Sequence, residues 1–213
     1  MVDRSELAGS AVAVAPRLLG AVIQSRVGGQ PVSVRITEVE AYEGVDDPAS
    51  HAFRGPTPRT EVMFGQPGHL YVYFTYGMHW CANVVCGVEG VAAAVLLRGG
   101  EVVEGETVAR ARRPAARSSR DLARGPARLA GALGLVGDDS GTDLCRATAA
   151  PGPERERPVA LLSLGDGSRF LTGPRVGISV ATERPWRFWL PDEPSVSAFR
   201  AGKAKPVRGQ RAD

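Results

Sequence analysis

Residues 69–98 read HLYVYFTYGMHWCANVVCGVEGVAAAVLLR. Three runs rich in valine, leucine and aromatics are separated by turn signals, Gly77-Met78 and then Gly87 to Gly90. That pattern predicts an antiparallel meander. Upstream, residues 31–42, PVSVRITEVEAY, alternate as a further strand. Period two puts Val32, Val34 and Ile36 on one face and carries Glu38, Glu40 and Tyr42 onto the same face. Residues two apart on a strand lie roughly 6.5–7 Å apart between Cα atoms, so two carboxylates would project side by side from an apolar surface. Two outcomes fit. Either the strand ends or bulges near Glu38 and the acids are solvated, or they are paired, hydrogen-bonded or functional. A carboxylate pair also permits glycoside-bond chemistry.

Around this centre the apolar pattern of residues 5–28 predicts a helix ending at Gly28-Gly29, and residues 101–113 are compatible with a second. Gly125-Pro126 opens a short helix, where proline's missing N–H costs nothing. LLSL (161–164), RVGISVA (175–181) and RFWLP (187–191) predict further strands. Residues 114–121 form a mobile basic loop and 149–158 another loop. The expected fold is α+β: a single domain, residues 1–199, with a curved antiparallel β-sheet and peripheral helices. A basic, disordered tail covers residues 200–213.

Composition narrows the function. The 213 residues are 43% hydrophobic and 23% charged, ordinary for a globular chain. No run of 18 apolar residues offers a membrane span, and Arg17 interrupts any secretory h-region. Three cysteines without metal-ligand spacing predict reduced thiols in the cytoplasm. His51, His69 and His79 have no HExxH-type spacing, so no metal site is expected. Motifs for serine hydrolysis, dinucleotides and P-loop phosphates are missing as well. The only lysines are Lys203 and Lys205, both in the expected tail, so a Schiff-base mechanism lacks a preorganised nucleophile.

Net charge is +3, but residues 98–128 hold eight arginines against four acids, and residues 200–213 hold five basic groups against one acid. Such blocks suit a polyanion, although charge alone fits solvated loops equally well. All four tyrosines lie in two segments: Tyr42 beside the acids, and Tyr71, Tyr73 and Tyr76 in the first hairpin. Tyr76 abuts Gly77 at the expected hairpin tip, a poor place for a core residue and a good one for a wedge.

Six segments in order carry a resemblance that covers about residues 6–199. They are EVEAY (38–42) with Ser50-His51, TPRTEVMFGQPGHLYVYFTYGMHWCANVV (57–85), VLLRGGEVVEG (95–105), ARGPARLAGALGL (123–135), GPRVGIS (173–179) and PWRFWL (185–190). Together they resemble the alkyladenine (3-methyladenine) DNA glycosylase family. The resemblance implies a monofunctional base excision repair enzyme. It flips an alkylated or deaminated purine out of double-stranded DNA and hydrolyses its N-glycosidic bond, leaving an abasic site. It assigns Glu40 to activating the attacking water, with Arg98 and the Val176 carbonyl holding that water. Tyr42, His51 and Tyr73 would enclose the flipped base, Asn83 would crowd the 2-amino group of normal guanine, and Tyr76 would enter the stack. No cofactor is implied, and Glu38 receives no catalytic role. Arg124 and Arg128, flanking the start of the Pro126 helix, are the expected phosphate contacts. The expected enzyme is a monomer, cytoplasmic and associated with the nucleoid. Two other readings remain at this level: a nucleic-acid-binding module on the same fold without catalysis, and a carbohydrate-active enzyme using Glu38 and Glu40.

Overall fold

The computed structural model describes residues 2–75, 77–145 and 159–202. Its centre is the eleven-residue strand β2 (Val32–Tyr42), preceded by α1 (Ala11–Leu18) and β1 (Val22–Ser25). The meander follows as β3 (Leu70–Thr75), β4 (His79–Cys86) and β5 (Ala93–Glu104). Then come α2 (Glu106–Arg112), α3 (Pro126–Leu133), β6 (Val159–Ser163), β7 (Leu171–Gly173) and β8 (Arg187–Trp189). The strand order is β3-β4-β5-β2-β1-β6, with β8 pairing both β2 and β7, and every pairing is antiparallel. The result is a curled antiparallel half-barrel with three α-helices in one mixed α+β domain, as the sequence predicts.

One face of the sheet meets α1 and α3 and forms the main core, with Leu70, Val72, Val84, Val95 and Leu97 buried beside Leu18, Leu129 and Leu133. The other face carries a second cluster around Met63, Tyr71, Val85 and Ala94. Along β2 the assignment to faces changes partway. Val32, Val34 and Ile36 belong to the main core, and so do Val39 and Ala41. The pairing of β2 with β5 is irregular between Ile36 and Val39. One extra residue in a strand inverts the alternation beyond it. Glu38, Glu40 and Tyr42 therefore point away from the apolar face on which strict period two puts them. The bulge is present, but the acids are not solvated: both glutamates are fully buried on the opposite side.

Three other expectations are corrected. Residues 5–28 are not one helix. A short 3₁₀ turn (Arg4–Leu7) precedes α1, which starts at the Ser10 cap (Oγ accepts from the Ala13 N–H, 3.2 Å) and ends two residues past Pro16. Val22–Ser25 then pairs with Val32–Arg35 through a turn at Gly28-Gly29, both with positive φ. A short apolar run does not by itself distinguish strand from helix, and here β2 offers the pairing edge. Residues 101–104 continue β5, leaving the helix only Glu106–Arg112. RVGISVA is irregular, because β8 occupies the edge of β2 at Glu38–Glu40 and Arg175 turns inward instead. The loop expected at 149–158 lies outside the described residues, as does the tail from Lys203 on. The Arg200 carbonyl accepts from the Gly177 N–H at 2.9 Å.

Candidate active site

A cavity of about 310 Å³ opens on the face of the sheet away from the main core. Each strand contributes by period two: Glu40 and Tyr42 from β2, Tyr71, Tyr73 and Thr75 from β3, Cys81 and Asn83 from β4, and Leu96 and Arg98 from β5. The Ser50-His51 loop, Pro126-Ala127 at the start of α3 and Val176 to Ile178 complete the wall. The seven residues expected for catalysis and base binding thus line one space: Glu40, Arg98, Val176, Tyr42, His51, Tyr73 and Asn83.

Glu40 is fully buried in the protein, yet it is one of the cavity's lining residues. Its Oε1 accepts the Val176 N–H at 2.6 Å and its Oε2 the Tyr42 hydroxyl at 2.9 Å. Arg98 Nη1 stands 3.5 Å from Oε1, beyond direct charge-assisted hydrogen-bond length. Burial pushes the Glu40 carboxyl above its ordinary range. Arg98, the Val176 amide and the Tyr42 hydroxyl offset this only in part, and Glu38 adds to it. Burial likewise raises the Tyr42 hydroxyl well above its usual value, with Glu40 the next cause.

The aromatic wall is built edge to face. His51 and Tyr73 have ring centroids 4.5 Å apart at 87°, and Tyr71 stacks on Tyr73 at 5.6 Å. His51 Nδ1 lies 3.2 Å from the Tyr71 hydroxyl. One side of the imidazole is open at the cavity while the rest packs against protein. That packing, and then the Arg59 guanidinium, hold its pKa down at about 4, so the ring is neutral at physiological pH. Asn83 is buried and donates its amide to the Tyr71 carbonyl at 3.0 Å, which fixes the direction of its side chain. Tyr76 lies outside the described residues.

Comparison with protein families matches residues 5–194 to methylpurine-DNA glycosylase. The chain belongs to that family. Its reaction class is therefore hydrolysis of N-glycosyl bonds, and DNA is the substrate that this membership implies. A protein of Frankia casuarinae is 54% identical over 193 residues, covering 89% of this chain and 88% of its own length. One of Leifsonia xyli is 52% identical over 205 residues, 92% of each chain, and one of Nocardia farcinica 49% over 211 residues, 97% of this chain and 95% of its own. All three carry the provisional name 3-methyladenine DNA glycosylase. No helix among the described residues is long and apolar enough to cross a membrane.

Of the two arginines on either side of the start of α3 in this methylpurine-DNA glycosylase family member, Arg128 is exposed and 3.9 Å from Asp121. Arg124 donates Nε to the Val196 carbonyl at 2.9 Å. Sequence reasoning misses the pair that braces the aromatic wall. Arg175 is fully buried, ion-pairs with Asp47, donates to the Ala41 carbonyl and lies over the Tyr42 ring at 4.7 Å. Arg175 lies in the GPRVGIS segment but receives no role from it, Asp47 lies in none of the matching segments, and the two stand 128 residues apart. Arg59, 5.4 Å from the Tyr73 centroid, likewise sits in a matching segment, 57–85, without a role assigned from the sequence.

Proposed function

We propose that the chain is a monofunctional glycosylase that takes alkylated or deaminated purines out of duplex DNA. It hydrolyses the N-glycosidic bond with a water activated by Glu40. The observation that carries this is the setting of Glu40: a buried carboxylate with a raised pKa at the wall of an aromatic-lined cavity. Such a group accepts a proton readily, and a base of raised pKa suits proton abstraction near neutral pH. The Arg98 guanidinium, 3.5 Å from Glu40 Oε1 on the cavity wall, is placed to donate to a water that Glu40 also contacts from the cavity. Attack on an oxocarbenium-like sugar needs one carboxylate and one placed water.

A duplex hides the bond, so the nucleotide must leave the stack at a cost of a few kcal/mol, least for a damaged pair. Electron-rich rings at Tyr42 and Tyr73 suit the positive charge of an N3- or N7-alkylated purine. Neutral bases such as hypoxanthine or ethenoadenine need a proton on the leaving base in addition. No lysine stands among the described residues, which supports an abasic product without strand cleavage.

The test is single-turnover excision from duplexes holding 3-methyladenine, 7-methylguanine, hypoxanthine or ethenoadenine. The wild type should release at least the cationic bases, leave the strand intact, and lose about 10²–10⁴-fold in rate on Glu40→Gln. Duplex binding without release of any of the four would leave the binding-module alternative. Borohydride-trapped strand breaks would instead reveal a nucleophilic amine.

A further inference from the structure

Glu38 is the one acid of the opening strand for which the glycosylase reading has no use, yet its carboxylate accepts four hydrogen bonds. It is fully buried and does not line the cavity. Its Oε1 accepts Arg187 Nε at 2.7 Å, Arg98 Nε at 2.9 Å and the Ser197 hydroxyl at 2.9 Å. Its Oε2 accepts the Ser197 N–H at 2.7 Å. The same two arginines reach Ser197: Arg98 Nη2 donates to its hydroxyl at 3.2 Å and Arg187 Nη2 to its carbonyl at 2.7 Å. We propose that Glu38 is a positioning residue for the reaction, holding the Arg98 guanidinium so that its Nη1 edge faces Glu40 and fastening the Ser197 segment behind it.

Three observations support the assignment. Arg98 has its Nε and Nη2 committed on the Glu38 side, so the plane of its fork is fixed before any substrate arrives. All four groups on Glu38 donate, which suits an acceptor-only carboxylate and leaves no room for an amide NH₂. Residue 99, opposite Glu38 on β5, is glycine, and a Cβ there would lie 3.1 Å from Glu38 Oε2 and 2.9 Å from the Ser195 carbonyl oxygen. The carboxylate needs that space. The proposal rests on the glycosylase reading of the cavity.

The test separates positioning from mere support of the fold. Glu40 faces Glu38 and Tyr42 from its own strand and Arg98 from β5. It also faces the Val176 amide and Arg175 from the segment after β7, with Tyr73 and Cys81 beyond. Removing the charge of Glu38 deletes a neighbouring carboxylate and leaves Arg98 to Glu40 alone. Both effects favour ionised Glu40. Glu38→Gln loosens the hold on Arg98 and should slow single-turnover excision about a hundredfold, while the favoured ionisation of Glu40 moves the acid limb of the pH–rate profile to lower pH. Duplex affinity, carried mainly by phosphate contacts, should change little. Ser197→Ala, which keeps the backbone bond to Glu38, should slow excision about three- to tenfold with the fold intact.

A Glu38→Gln protein that excises at the wild-type rate, or more slowly with its acid limb unmoved, overturns the proposal. If that variant does not fold, wild-type rates in Ser197→Ala overturn it. A wild-type chain that excises no damaged purine is a different result, which sinks the glycosylase reading itself.

Discussion

At the scale of single residues, the ionised form of Glu40 is a cost that the fold carries. Its folded pKa is raised above the unfolded value near 4.5, chiefly by burial. A raised carboxyl binds its proton more tightly when folded. Its favourable contribution is present below the unfolded pKa and is lost as pH rises through the folded one. Gln is neutral at every pH and can accept from the Val176 N–H while donating to the Tyr42 oxygen. Glu40→Gln should thus excise far more slowly yet be more stable than wild type at pH 8, by roughly 1 kcal/mol. The gain should vanish as pH falls into the ordinary carboxylate range. Urea denaturation at pH 8 and at pH 4.5 checks both ends. A less stable variant at pH 8 would mean that Arg98 and the Val176 amide more than compensate the buried charge. The identity of these side chains is legible in the sequence, and the EVEAY segment singles out Glu40, which lies on the cavity wall. Their partners are not. Arg175 and Asp47, or Glu38 and Arg187, meet across 128 and 149 residues, and no local pattern encodes such a meeting.

At the scale of elements, the meander and α3 are readable because their signals are local: alternating runs, turn glycines and Pro126 at the first helical position. The phase of β2 is not. Strict alternation predicts one buried stripe from Val32 to Tyr42, whereas the irregular pairing after Ile36 turns the second half over. Gly99-Gly100 reads locally as the end of a strand, yet β5 continues through it because β2 passes too close there for side chains. A similar constraint governs the entry to the aromatic wall. Gly44 opens the turn that leads from Tyr42 towards Asp47 and His51, with φ at +56°, and a Cβ there would strike the Ala92 carbonyl. Gly44→Ala adds left-handed strain to that contact and should cost about 2–4 kcal/mol. Excision should fall along with it, since Asp47 anchors the Arg175 that lies over Tyr42. The midpoint of urea unfolding measures the first effect. A change within about 0.5 kcal/mol would show that the turn yields without strain.

At the scale of the whole molecule, charge counting treats the arginines of residues 98–128 as one block, and the fold divides them. Arg98 faces the cavity, Arg112 donates to the Ala132 and Val27 carbonyls, and Arg124 holds the Val196 carbonyl. Arg110, Arg117, Arg120 and Arg128 are exposed. Only groups of the last kind can release counterions from a DNA backbone without undoing the protein. Arg128 follows Pro126 and Ala127 on the helix whose first turn lines the cavity, so a duplex engaging the site passes near it. Binding to an undamaged duplex should weaken steeply with salt, and Arg128→Ala should flatten the slope of log K against log salt by about one, irrespective of sequence. Arg124→Ala should act differently: it removes the 2.9 Å bond to Val196 and should lower the unfolding midpoint as well as the affinity. Fluorescence anisotropy between about 50 and 200 mM salt, beside thermal unfolding of both variants, separates the two. An unchanged slope in Arg128→Ala would remove that residue from the interface. The backbone contacts would then fall to the other exposed arginines.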